Sequence, residues 1–183
     1  MLQKELQDHI GCFNKLVEIS KPIEKAARQL IACIHQGGKI LICGNGGSAA
    51  DSQHFATELV GRFLRERQSI PAIALTTDTS ILTAVGNDYG YHAIFSRQIE
   101  SLGQNGDYVI ALSTSGTSKN ILQAVDTAHK QHLGTIGLTG ASGGDLATRV
   151  DIAIKAPAHI VPRIQEIHIF ILHYWAQRIE AEL

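Results

Sequence analysis

The sequence predicts an α/β fold, a three-layer sandwich whose five-stranded parallel sheet is flanked by helices and preceded by an amino-terminal helical pair. Three observations predict it. Short apolar runs without polar alternation recur along the chain, as expected of strands covered on both faces. Between them lie longer segments with apolar residues three and four apart. Glycine- or serine-rich turns stand where two of those runs give way to helical spacing.

The amino-terminal segment Leu2 to Ile19 carries Leu2, Leu6, Ile10, Phe13, Leu16 and Val17 at helical spacing. A second set follows in Ile23, Ala26, Ala27, Leu30, Ile31 and Ile34, with Pro22 suited to a helix start and Gly37-Gly38 to a stop. Residues 1–36 are therefore read as helices and 37–183 as the α/β core of one domain. The predicted strands are Lys39 to Cys43, Ala72 to Leu75, Tyr108 to Leu112, Thr135 to Leu138 and Ile152 to Ile154. Helical spacing fills Ala49 to Phe63, Ile94 to Leu102, Asn120 to His132 and about Arg163 to Glu180 after Pro162. Gly140 to Gly144 reads as a loop, and Asn87-Asp88-Tyr89-Gly90 as a turn or as a presenter of polar groups to sugar hydroxyls.

A chain of 183 residues can bury a core as one domain without disulfides or structural metal. With 16 basic and 17 acidic residues it offers no bulk electrostatic footprint for nucleic acid or an anionic membrane, so any anion must be held locally. No apolar run approaches the roughly 20 residues of a membrane span, and Met1 to Glu5 lacks the order of a signal peptide. A cytoplasmic protein is expected. Cys12, Cys33 and Cys43 show no CxxC spacing and read as buried thiols.

Two loops follow predicted strands, where parallel sheets bind their ligands. Gly44-Asn45-Gly46-Gly47-Ser48 brings backbone amides to the start of the next helix, the positive end of its macrodipole. The plain alternative is a strand-to-helix turn using glycine for backbone freedom. No Gly-Lys-Ser/Thr follows, which excludes a nucleoside-triphosphate loop, and the dinucleotide fingerprint lacks its acidic partner. The second loop, Ser113-Thr114-Ser115-Gly116-Thr117-Ser118, holds five hydroxyls in six residues, more than helix capping needs. An anion such as a phosphate fits it without fixed positive charge.

His54 and Glu58 are four apart and share a helical face, within reach of one metal or one substrate, although such pairs are also ordinary on surfaces. Gln165 and His173, eight apart in the last helix, lie about 80° apart around its axis and can line one wall of a cleft. His173, among Leu172, Tyr174 and Trp175, reads by default as a core histidine, and His168 and Glu166 as surface or supporting residues.

Together, Cys43-Gly44-Asn45-Gly46-Gly47-Ser48, His54-Phe55-Ala56-Thr57-Glu58, Gly86-Asn87-Asp88, Ser113-Thr114-Ser115-Gly116 and Arg163-Ile164-Gln165-Glu166-Ile167-His168 resemble the phosphoheptose isomerase family of sugar isomerase (SIS) domain proteins, in order and over essentially the whole chain. The resemblance implies the SIS fold and a homotetramer that isomerises sedoheptulose 7-phosphate to glycero-manno-heptose 7-phosphate, toward lipopolysaccharide heptose. It implies sugar contacts from Asn45, Gly46, Gly47, Ser48, Glu58, Asn87, Asp88 and Gln165, and phosphate contacts from Ser113, Thr114, Ser115 and Ser118. It further implies one zinc per subunit held by His54, Glu58, Gln165 and His173, with Glu58 and His173 as the acid-base pair. Two other members of that fold family are weighed. A non-catalytic protein that binds the replication initiator DnaA does not keep the glutamate and histidine found here, and a sugar-phosphate-sensing regulator needs the serine loop but no acid-base pair.

Overall fold

A computed structural model describes residues 1–183. Five parallel strands, β1 (Ile40–Gly44), β2 (Ala72–Ala74), β3 (Tyr108–Leu112), β4 (Gly134–Thr139) and β5 (Ile152–Lys155), form one sheet in the order β2-β1-β3-β4-β5. The helices are α1 (Leu2–Asn14), α2 (Ser20–His35), α3 (Gly47–Val60), α4 (Thr79–Tyr89), α5 (Ser96–Leu102), α6 (Lys119–Lys130), α7 (Leu146–Arg149) and α8 (Val161–Ala181). The expected five-stranded parallel sandwich is the fold found.

Strand periodicity divides the core. Ile40 and Ile42 of β1 join Ile110 and Leu112 of β3 in one apolar cluster, under α2, α3 and α8. Leu41 and Cys43 join Val109 and Ala111 on the opposite face, under α5 and α6. Both faces are dry, which is why the strands read as unbroken apolar runs. On the first face Phe55 of α3 meets Trp175 of α8 edge-on, and Trp175 Nε1 donates to the Ile23 carbonyl of α2 at 3.0 Å. Thus α3 and α8 are fixed side by side.

Register decides where the loops fall. Gly44 at the end of β1 pairs with Leu112 at the end of β3, so the two loops leave the sheet side by side. The chain turns to opposite sides of β1 at this point, to β2 and to β3, the crevice in which doubly wound sheets receive ligands.

Several boundaries differ from expectation. The first helix stops at Asn14 and a 3-10 turn over Lys15–Ile19 leads into α2. The third ends at Val60, before Gly61. The segment around Asn87 and Asp88 is no loop: it is the last turn of α4, which begins at Asp78, whose side chain accepts from the Ile81 amide at 2.9 Å, and ends at Gly90. Gly90 has φ +91°, a value suited to glycine. Cys33 and Cys43 are buried and Cys12 half-buried, all as free thiols.

Candidate active site

The first loop is tied to both neighbours. Asn45 and Asn120, the second residue of α6, exchange side-chain hydrogen bonds of 3.0 and 2.8 Å, and the Tyr91 hydroxyl donates to Asn45 Oδ1 at 3.0 Å. Gly46 adopts φ +57° and ψ −123°, open only to glycine, and α3 starts without a side-chain cap. Gly47 is required for another reason: a Cβ there would stand 2.5 Å from Gln165 Nε2 and 2.8 Å from its Oε1. Ser48, the second residue of α3, is buried.

The second loop folds back on itself. Ser113 Oγ donates to Ser118 Oγ at 3.1 Å and accepts from the Gly116 amide at 3.1 Å, while the Thr117 amide and hydroxyl both donate to Ser115 Oγ. Gly116 has φ +70°, and a Cβ on it would overlap the Gly143 carbonyl, because the 140–144 loop backs this turn. The Ser118 side chain does not cap α6, and its carbonyl accepts only the Ile121 and Leu122 amides, so the first amides of that helix are left able to receive an anion. A cavity of about 290 Å³ lies against Thr114 and Ser115, closed by Ser142 and His159.

One turn and more along α3, the chemistry-bearing groups converge. His54 Nε2 is 2.7 Å from His173 Nε2 and 3.2 Å from Glu58 Oε1, so α3 and α8 deliver two imidazoles and a carboxylate to one point. Their ligand atoms all lie within 4.8 Å of one another, a donor set able to hold a divalent transition metal. Burial lowers the His173 pKa below the ordinary histidine value, with His54 adding and Glu58 opposing. Phe63, just past α3, contributes to that burial from 5.7 Å.

The SIS domain family model matches residues 12–140. The phosphoheptose isomerase of Helicobacter hepaticus is 50% identical over 182 residues, covering 100% of this chain and 93% of its own length. Among solved structures, a phosphoheptose isomerase from Neisseria gonorrhoeae superposes with TM-score 0.88 at 41% identity, over 99% of this chain and 100% of its own. That from Francisella tularensis gives 0.91 at 38% identity, over 98% of each. The chain belongs to the phosphoheptose isomerase family of SIS-domain proteins.

Within that family frame, the expected residues fall into distinct positions. Asn45, Gly46 and Gly47 rim the β1 crevice, Gln165 lies on Gly47, and the Ser113 to Ser118 turn stands next to them at the end of β3. Asn87 and Asp88 are exposed at the end of α4 and bond each other at 2.8 Å. His173 is half-buried beside His54 and Phe63 and not in the core. The core histidine is His168, fully buried, with Nε2 3.1 Å from the Thr139 carbonyl and Nδ1 without a partner.

Three residues escaped the sequence reading. Tyr91 and Asn120 hold Asn45, and no local pattern marks them because their partner lies far away in sequence. Asp51 does have a signal, since it sits four residues after Gly47 and three before His54 on the face they share. Burial raises its pKa to about 6 against the opposing effect of His54, and its Oδ2 has no hydrogen-bond partner.

Proposed function

We propose that residues 1–183 act as one domain of a cytoplasmic, homotetrameric phosphoheptose isomerase. It converts sedoheptulose 7-phosphate to D-glycero-D-manno-heptose 7-phosphate through an enediol, for lipopolysaccharide heptose. The observation that carries this reading is the meeting of Glu58 and His173 from two helices, α3 and α8, which also touch at the first loop, where Gln165 lies on Gly47. Ser113, Thr114, Ser115 and Ser118 hold the phosphate by hydrogen bonds at the α6 start. Asn45, Gly46, Gly47, Ser48, Asn87, Asp88 and Gln165 position the sugar.

In the ketose, Glu58 takes a proton from C1 as the C1–C2 double bond forms, and His173 supplies a proton to the C2 oxygen. The enediol collapses when O1 gives up its proton and C2 receives one through the same pair, which leaves an aldehyde at C1. His173 suits this exchange because a lowered pKa keeps its imidazole neutral near pH 7, with one nitrogen to donate and one to accept.

One zinc per subunit fits the donor set of His54, Glu58 and His173; Gln165 would be its fourth ligand, as the family resemblance implies. The His54 and His173 nitrogens 2.7 Å apart, with the Glu58 oxygen 3.2 Å from His54, are the imidazole and carboxylate donors that zinc takes. When bound, the metal would orient substrate oxygens and polarise the carbonyl. Metal ligation and proton abstraction compete for the Glu58 carboxylate, which makes the metal dependence of the rate informative. The test is incubation of the purified protein with ketose phosphates of five, six and seven carbons, with added zinc and after chelation. Turnover restricted to the seven-carbon ketose supports the assignment. Turnover of none, with zinc present, removes it.

A further inference from the structure

Beyond the groups that touch substrate, the two helices of the acid-base pair are joined at their far ends by a buried ion pair. The chain leaves α3 at Gly61, so the Glu58 and Leu59 carbonyls lose their helical partners. The Arg67 guanidinium replaces them: Nη2 donates to the Glu58 carbonyl at 2.6 Å, and Nη1 to the carbonyls of Leu59 at 2.8 Å, Gly61 at 3.3 Å and Gln68 at 2.9 Å. Arg67 Nε stands 3.5 Å from Glu180 Oε1, with both side chains almost wholly buried at 7% and 2% exposure.

Glu180 lies on α8 two turns after His173, on nearly the same face. Its carboxylate accepts the amides of Phe63, Leu64 and Arg65 at 2.9 to 3.0 Å. That seats the Phe63 ring against His173. Both members of the acid-base pair are therefore reached from one ion pair, Glu58 through its own carbonyl and His173 through Phe63.

We propose that Arg67 and Glu180 form a positioning latch that sets the approach of Glu58 to His173. The inference rests on the isomerase reading above. A buried ion pair is a poor way to gain stability, since desolvation offsets most of the attraction. Its return here is geometric. A natural comparison exists in the same chain: half-buried Lys39 and buried Asp107 form another pair, Nζ to Oδ2 2.6 Å, with Asp107 also accepting the Lys39 and Gln104 amides. That pair lies at the amino-terminal ends of β1 and β3, roughly a strand's length (~16 Å) from the crevice.

Arg67→Met and Glu180→Gln should each lower kcat at least about tenfold with KM within about threefold, because misplacing a reacting group costs rate while the phosphate grip is untouched. Arg67→Lys should recover part of the loss. Lys39→Met should lower the melting temperature but keep kcat within about twofold, since it breaks a matched pair away from the reacting groups. Should Arg67→Met fail to fold, Phe63→Leu carries the test, with a several-fold fall in kcat and an unchanged melting temperature. The imidazole nitrogen resonances of His54 and His173 read the same geometry without substrate: they shift in Arg67→Met and Phe63→Leu and hold in Lys39→Met. Unchanged kcat and resonances in the latch variants, or equal losses in Lys39→Met, overturn the proposal. A wild-type protein inactive on every ketose phosphate, yet showing these shifts, would instead fault the reaction assigned and leave the latch standing.

Discussion

Gly47 lacks a side chain because Gln165 occupies the space one would fill. Gly47→Ala should push the amide out of the crevice and raise KM for the sugar phosphate at least several-fold, consistent with overpacking costs of about 1–3 kcal/mol, as steady-state kinetics will register. His173→Gln removes a proton carrier but none of the groups assigned to grip the phosphate. Its kcat should fall about 10²- to 10⁴-fold while calorimetry still shows sugar-phosphate binding. At this scale the sequence was partly legible. The i, i+4 spacing placed His54 and Glu58 together, as the 3.2 Å approach shows. Local pattern alone points the wrong way for the α8 histidines: it makes His173 a core histidine by default, a reading that only the family resemblance replaces, and His168 a surface or supporting residue, whereas His173 is half-buried and His168 fully buried. Ile164, Ile167, Ile171, Leu172, Trp175 and Ile179 make the buried stripe, and His168 lies inside it. A pattern that counts histidine as polar misses that.

Elements carry the next layer of prediction. His168 links α8 to the end of β4, and burial lowers its pKa to about 4. The unfolded value is about 6.5, so as pH falls the unfolded chain takes the proton first, and the stability tied to this group, full above pH 6.5, is lost toward pH 4. A shift of that size corresponds to a loss on the order of 3 kcal/mol. Asp51, raised to about 6, acts in the opposite sense, gaining stability as pH falls through its own window. The comparison of urea midpoints for wild type and His168→Gln between pH 7 and pH 4 isolates the histidine: the wild-type slope should be the steeper, and equal slopes would contradict the assignment. On the serine turn, the double substitution Ser113→Ala with Ser118→Ala should raise KM about 10²- to 10⁴-fold, since hydrogen bonds to a charged phosphate contribute about 1.5–3 kcal/mol each. Both loops were legible because glycines and hydroxyls at strand ends are local signals. The helix α4 was not, because Asn87, Asp88 and Gly90 resemble a turn, although Asp78 before Ile81, Leu82 and Val85 marks a capped amphipathic start.

For the whole molecule, parallel β1 and β3 in register bring the two loops together, and α3 and α8 pack so that His54, Glu58 and His173 meet between them. No helix is long and apolar enough to cross a membrane. Along α1, Leu2, Leu6 and Ile10 are exposed on one stripe, and no residue of that helix is buried. A tetramer that covers this stripe should appear in sedimentation as four chains, and Leu6→Asp with Ile10→Asp should shift it toward smaller species. The fold was legible from apolar periodicity, whereas long-range pairings such as Asn45 with Asn120 and Arg67 with Glu180 exist only once the layers are packed. The central claim is that a carboxylate and an imidazole on separate helices take a proton from C1 of the sugar and return a solvent-exchanged one to C2. Incubation of sedoheptulose 7-phosphate in deuterated water, followed by NMR, tests it most directly. Wild-type protein should yield aldose phosphate carrying solvent deuterium at C2, and Glu58→Gln should bind the ketose without product or exchange at C1. Undiminished exchange by Glu58→Gln would contradict the account.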